Sequence, residues 1–487
     1  MAYGVRMICR WLRMLPLLVC CTAPLWAQDK EDYGQILREA QGKLAKGQLS
    51  SAEAAFQELL DATEEEPEGS KPSAALQNSA KAGLLEIALR RGKYEAVVDG
   101  SEDKAAVAAS PDQLFVRARA LRAIGRYADA IVLLQQRIAS APDDVEAHYR
   151  LGDAQWADGA RTIARNTWSL AVGLPKPQDA GQLAYRARCR WRLGGREQFT
   201  AAAEELVDAM GKAPDRPEAR TTYGILQFEA YGEAAGYPSG ERELKKVLEA
   251  HGDLEEALLA MYRIRSANAN LDPGTTDRYL ERALQQNPRC VAGIVLRGAL
   301  VLDDRRYRDA AQVFDEALRI DPNDRVALAH RAAAALLLHA DKDYAKFRQR
   351  ALAGDAGYAE VDRVIGDHLV ALYRFADAIP YFEAALAADP QHVGALQGMA
   401  KAAIYTGQGQ KAKELLLRAK AQEPGFNQPW RENALAVQAL LDEEYVRTEG
   451  KDFALQLHRD DSEVLREYRS EEHTSELQSQ FRISYAV

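Results

Sequence analysis

The chain has 487 residues, a net charge of −9 and 28% charged side chains, an acidic balance that disfavours nonspecific attraction to nucleic-acid phosphates and excludes nucleic acid as an expected partner. Its length admits several ordinary domains or a repeat array that needs no central core. Five cysteines are too few and too scattered for a disulfide framework or a cysteine metal site.

The amino terminus carries Arg6, Arg10 and Arg13, then the apolar run Met14 to Trp26, then Ala27 before a polar chain. This pattern predicts a secretory signal peptide over 1–27, cut after Ala27, and export to a bacterial periplasm or the extracellular space. The apolar run is too short to cross a bilayer comfortably, so no stable membrane span is expected after cleavage. Cys20-Cys21 raises a lipid anchor as the alternative, but Val19 and Cys20 do not supply the small residue that a lipidation site wants before its cysteine. Cleavage would leave Cys189 and Cys290, expected as buried thiols.

Beyond the leader, small and bulky residues recur in register. Gly47 to Phe56 with Ala52 marks a first unit, and Arg126 to Ala130 with Pro142 another. Leu151-Gly152, Ala164, Trp168 and Ala171 mark the next, and Trp191 to Pro214 one more. Within 186–192, Arg186 stands above Arg190 and Arg188 above Arg192 on neighbouring helical faces. That run reads either as an anion-attracting patch or as a solvated face paired with acids such as Glu204 and Glu205. The register slips between Phe228 and Asp272, where Tyr231 to Gly240 is expected to form an inserted loop.

From Pro288 onward the period is 34 residues, through Pro322, Pro390 and Pro424. Gly298, Ala332, Gly366 and Ala400 share one position, and Ala317, Ala351, Ala385 and Ala419 another. Helix pairs interlock where such small side chains let backbones approach, while Phe314, Phe382 and Leu416 fill the adjoining gap. Arg348 breaks that last rule. Asp321-Pro322 and Asp389-Pro390 stop one helix and launch the next pair.

Val291 to Asp324 resembles the tetratricopeptide repeat (TPR), with Gly298, Tyr307, Ala310, Phe314, Ala317 and Pro322 on motif positions. The resemblance implies an all-α, right-handed superhelical solenoid of helix-turn-helix repeats over 28–445, irregular around 228–272. It also implies binding of a protein or peptide on the concave surface made by the first helix of each pair. The motif positions that face this surface select Arg119, Arg122, Tyr149, Asp153, Trp156, Arg363, Asp367, Gln397, Lys401 and Tyr405. Aromatic and guanidinium groups suit such a role, because they bury much area or fork two hydrogen bonds. A clamp for a chaperone's terminal carboxylate needs asparagines here. One such position reads Arg119, Asp153, Ala299, Ala333, Asp367 and Lys401 instead.

No catalytic residue, metal or cofactor is assigned. The histidines are scattered, no zinc-protease pair with its glutamate occurs, and neither a nucleophile elbow nor a phosphate loop is present. After Glu444 the alternation of Phe453, Leu455 and Leu457 predicts a strand, and Asp460-Asp461-Ser462 can cap a helix near Glu463. Asp452 to Tyr468 resembles the opening of a zinc-peptidase-like (gluzincin) domain. It makes 446–468 either a capping segment or the start of a truncated domain, and makes the solenoid the substrate-recruiting arm of a secreted metallopeptidase in the alternative reading. Residues 469–487, beginning Arg469-Ser-Glu-Glu-His, resemble the translation of a short-read library adapter and are expected to be unstructured.

Overall fold

The computed structural model describes residues 33–65, 72–100, 110–267, 271–422, 428–449 and 454–462. The leader at 1–27, the adapter-like segment 469–487 and the helix expected near Glu463 lie outside the described residues.

Helices follow one another as antiparallel pairs. The first half holds α1 (Tyr33–Ala45) with α2 (Leu49–Glu65), α3 (Ala74–Arg90) with α4 (Tyr94–Asp99), and α5 (Pro111–Ala123) with α6 (Tyr127–Ser140). Then come α7 (Val145–Asp158) with α8 (Arg161–Gly173), α9 (Ala180–Leu193) with α10 (Arg196–Lys212), and α11 (Pro217–His251). The second half holds α12 (Glu255–Ser266) with α13 (Pro273–Gln286), α14 (Val291–Asp303) with α15 (Tyr307–Ile320), and α16 (Arg325–Leu337) with α17 (Asp341–Ala351). It continues through α18 (Glu360–Ala371) with α19 (Phe375–Ala388), α20 (Val393–Tyr405) with α21 (Gly409–Gln422), and the unpaired α22 (Pro429–Glu444). An antiparallel hairpin, β1 (Tyr445–Glu449) with β2 (Ala454–His458), follows, and Tyr445 pairs with His458. The fold is an all-α solenoid.

Local chemistry sets these boundaries. The carboxylates of Asp144, Asp179 and Asp324 at first helices, and of Asp272 at a second, each accept the backbone N–H three residues on, which satisfies an orphan donor at the helix start. Cys290, a buried free thiol like Cys189, does the same through Sγ, 3.3 Å from the Gly293 nitrogen. In three pairs a glycine of the first helix faces a buried ring of the second, Gly152 on Trp168, Gly298 on Phe314 and Gly366 on Phe382, and between the first two pairs Gly83 faces Phe56; a Cβ on any of them would strike that ring. Emptying one such ring site by truncation to alanine costs about 3–5 kcal/mol. At the exceptional Arg348 the guanidinium forks Asp362 at 2.8 and 2.6 Å, and Phe347 beside it is the buried aromatic.

The loop expected at Tyr231 to Gly240 is not there. Backbone from Pro217 to His251 is helical throughout, yet Gly224 touches Gly240 and Leu244, and Arg220 pairs with Glu243. A straight helix would hold residues sixteen apart about 24 Å from each other. The element therefore folds back on itself into two arms that pack like any other pair. Pro238, which has no N–H to give a helix, lies near the reversal.

A second layer of contacts has no local signature. The turns of the first four pairs, and the reversal of α11, pack on connections between pairs roughly 200 residues later. Ala45 O lies 2.9 Å from His251 Nδ1, and Asn287 Nδ2 donates to Tyr94 Oη at 2.9 Å. Tyr127 donates to Asp321 Oδ2 at 2.5 Å, and Arg161 bonds Asp355 and Gly357 O. Gln428 Nε2 reaches Glu229 O. Each contact joins the turn of one pair to the connection between the fifth and sixth pairs after it, so the solenoid closes one superhelical turn and sets the next directly upon it.

Candidate functional site

The first superhelical turn encloses a lumen of about 660 Å³ lined by α3, α5, α7, α9, the first arm of α11 and α12. Its wall is a ladder of guanidinium, aromatic and carboxylate groups. Arg119 pairs with Glu86 at 2.8 Å, which also takes Arg90 at 2.9 Å. Asp153 receives Arg122 at 3.2 Å and Arg192 at 2.6 Å. Burial alone would raise both carboxyls, but the flanking arginines outweigh it and hold Glu86 and Asp153 below the ordinary range. Arg150 sits over the rings of Phe115 and Tyr185, and Arg188 over Tyr149 and Tyr185. Such cation–π contacts fix the guanidinium planes along the wall.

Family models described as tetratricopeptide repeat match residues 111–154, 278–325 and 369–438. Those three stretches carry tetratricopeptide repeats. No curated protein sequence matches it. Among solved structures it is similar to yeast Tom70, at 15% identity over 84% of this chain and 88% of that one, with a TM-score of 0.37. It is similar also to a tetratricopeptide repeat protein from Parabacteroides merdae, at 15% identity, 54% and 100% coverage and a TM-score of 0.37. A third is the human IFIT1 dimer with m7Gppp-AAAA, at 13% identity, 69% and 72% coverage and a TM-score of 0.35. Tetratricopeptide repeats commonly bind proteins or peptides.

The ten residues selected from the TPR motif separate into groups. Arg119, Arg122, Tyr149 and Asp153 line the lumen. Trp156 does not; it packs on Trp168, 5.7 Å between ring centroids, beneath Arg161. Arg363, Asp367, Gln397, Lys401 and Tyr405 lie on α18 and α20 in the second superhelical turn. There Arg363 pairs with Glu360 at 2.5 Å and with Asp367, while Tyr405 stacks on Phe375 at 4.3 Å.

The arginine run of α9 is neither an open anion patch nor a solvated face. Arg186 and Arg190 share Glu205 Oε1 at 2.8 and 3.0 Å, Arg188 bonds Thr222 and Glu256, and Arg186 and Arg188 are buried. The run turns inward because Glu205 of the same pair and Asp153, Thr222 and Glu256 of neighbouring ones supply acceptors. The histidines are not all scattered either: His330 Nδ1 lies 2.8 Å from His368 Nε2, whose ring bonds Asp303 at 3.2 Å. Burial holds His330 well below its usual value.

TPR register reasoning passed over Trp191, Glu229 and Arg263, all of which line the lumen. Trp191 Nε1 donates to Glu229 at 2.6 Å. Arg263 follows the start of α12 by eight residues, as Arg119 follows that of α5 and Asp153 that of α7. The slip at 228–272 concealed that equivalence. Among the described residues no helix is long and apolar enough to cross a membrane, and no three His, Cys, Asp or Glu side chains meet as metal ligands.

Proposed function

We propose that this TPR chain is an exported, non-catalytic scaffold that holds an extended segment of a partner protein in the lumen of its first superhelical turn. The observation that carries the reading is the lumen's wall, where ion-paired arginines and oriented aromatic rings line one continuous cavity of about 660 Å³. A volume of that size takes a short stretch of extended peptide. The fixed guanidinium and ring planes offer hydrogen-bond forks and apolar area at little further entropic cost. Export rests on the Arg6, Arg10 and Arg13 cluster, the apolar run that follows and Ala27.

A photo-crosslinking amino acid placed at Ile225, which lines the lumen, tests the binding face against the same group at Val132, which is exposed on α6. The proposal expects a discrete crosslinked protein species from Ile225 and none from Val132. Equal labelling from both positions, or none from either, would remove the lumen as the binding face. Alkaline phosphatase fused after residue 60 and expressed in a bacterial host tests export, and an inactive fusion would place the chain in the cytoplasm.

A further inference from the structure

From α14 onward the first helix of each pair carries a small residue at one position, Gly298, Ala332, Gly366 and Ala400, and the rings of Phe314 and Phe382 on the second helices come down on the two glycines. Residues four before and three after that position share its face. There Ile294, Leu328, Asp362 and Leu396, with Leu369 and Ala403, are 5% exposed or less. Ala434 of α22 is the next member of the series, one 34-residue period after Ala400. On α22 the same stripe is bare: Trp430 is 40% exposed, Val437 51%, and Leu440, one turn further along, 45%.

This helix is not a frayed end. Lys420 of α21 pairs with Glu432 at 2.6 Å and Lys413 with Asp442 at 2.7 Å, while Ala434 and Leu435 pack against the core of the preceding pairs. Nor does the chain turn back here as it does elsewhere. The earlier first helices end at Asp303, Leu337, Ala371 and Tyr405, and a left-handed residue two positions on, Arg305, His339, Tyr373 or Gly407, launches the second helix. At the equivalent Leu441 the backbone is still helical, and α22 runs on to Glu444 before leaving as β1. Arg447 of β1 donates to Gly407 O at 2.8 Å, which seats the hairpin on the turn of the preceding pair.

We propose that the bare stripe of α22 is the docking site for an amphipathic helix of another protein, which supplies the second helix that this pair lacks. The contact continues the interface repeated through the solenoid, so the chain's own second helices specify the occupant's chemistry. Each carries a small residue with a bulky apolar one four positions on, as in Ala310 and Phe314, Ala378 and Phe382, or Ala412 and Leu416, all buried. The occupant runs antiparallel to α22, so its first turn falls beside Glu443 and Glu444, whose charge suits the positive end of a helix. A second copy fits less well, because two antiparallel α22 helices crossing at Val437 would set Trp430 against Glu444. Trp430, Val437 and Leu440 do not line the lumen, so this site is independent of the lumen reading.

The test is fluorescence anisotropy of a labelled, stapled helical peptide with the sequence of α15, Tyr307 to Ile320, titrated with the intact protein. Val437→Arg and Leu440→Arg change only exposed side chains, so both keep the wild-type melting temperature and separate docking from folding. The expected result is saturable binding to wild type, weakened about tenfold or more by either variant and by Phe314→Ser in the peptide, and unchanged by Arg263→Gln in the lumen. Absence of saturable binding, or binding indifferent to Val437→Arg, would overturn the proposal. A wild-type dimer that Val437→Arg dissociates in analytical ultracentrifugation would overturn it too, by giving the face to a second copy. So would a gain in peptide affinity when the chain is ended after Ser462, because the chain's own later residues would then be the occupant. None of these outcomes bears on the lumen.

Discussion

Tyr127 donates its phenol to Asp321, 194 residues along the chain, and both side chains are buried where the second superhelical turn rests on the first. Burial raises the Asp321 carboxyl from 3.8 to about 6 against the Tyr127 hydrogen bond, with Asp324 adding to the rise and Arg122 opposing it. The folded state therefore holds a proton there more tightly than the unfolded chain. Ionised Asp321 weighs against folding above pH 6, and that penalty is relieved as pH falls through about 6 towards 4. His330 acts oppositely: its lowered value removes stability as pH falls below the ordinary histidine range. The difference between wild type and Asp321→Asn isolates the seam, and it should shift by on the order of 2–3 kcal/mol between pH 7 and pH 4 in wild type's favour. Urea unfolding at a series of pH values measures it, and a pH-independent difference would mean that Asp321 is ordinary.

Gly125 and Tyr373 occupy the same turn in different superhelical turns. Gly125 has φ +74° and a Cβ there would run into Asp321; Tyr373 has φ 61° but stands 76% exposed. Gly125→Ala should cost about 2 kcal/mol or more, from the left-handed backbone and the clash together. Tyr373→Gly removes a backbone penalty and breaks no buried contact, so its effect should lie between neutral and about 1 kcal/mol stabilising. Equilibrium denaturation of the two variants decides whether the early glycines serve the seam or the turn alone.

Glu205 Oε1 balances both Arg186 and Arg190 in a buried setting. Glu205→Ala leaves two desolvated cations and should cost about 3–5 kcal/mol. Glu204→Ala, next to it on the exposed side, should stay within about 0.5 kcal/mol. Similar losses for the two, read by thermal melting, would contradict the buried network.

Asp153→Asn tests the lumen wall. Arg122 and Arg192 hold the Asp153 carboxyl below its usual range despite burial. Its contribution is thus present above the unfolded value near 4 and lost as pH falls through the lower folded value. The substitution should reduce stability by about 2–4 kcal/mol at pH 7 and flatten the acid limb below pH 4, both visible in unfolding curves. It should also weaken crosslinking from Ile225, since two wall guanidiniums lose their brace.

Pair packing was legible because it is local and periodic: Gly298 against Phe314 and Gly366 against Phe382 lie within one repeat, so spacing alone locates them. The paired nature of the α9 arginines was half legible, since Glu205 was in view but Thr222, Glu256 and Asp153 belong to other repeats. The seam was not legible, because Tyr127 and Asp321 share no period and meet only through the accumulated rotation of the intervening pairs. A signal for it did exist. Gly47, Gly92, Gly125 and Gly159 occupy turns covered by His251, Asn287, Asp321 and Arg325 of the later repeats, whereas Arg305, His339 and Tyr373 take the same left-handed geometry at exposed turns. Arg263 was missed for a simpler reason: Pro238 and its neighbouring glycines were given a loop, and the register beyond them was lost.

A solenoid whose repeats touch only their neighbours behaves as a chain of nearly independent links, fraying from either end. Here the stacked turns add a second direction of coupling, so a hairpin in mid-chain is gripped along the chain and across it. Melting should accordingly be concerted over the whole body, with an unfolding barrier set by rupture across the turns. Assembly has the opposite burden. Ala45 must find His251, and Tyr94 must find Asn287, only after some two hundred intervening residues are already wound, so the last step of folding is a slow closure on top of fast local helix pairing.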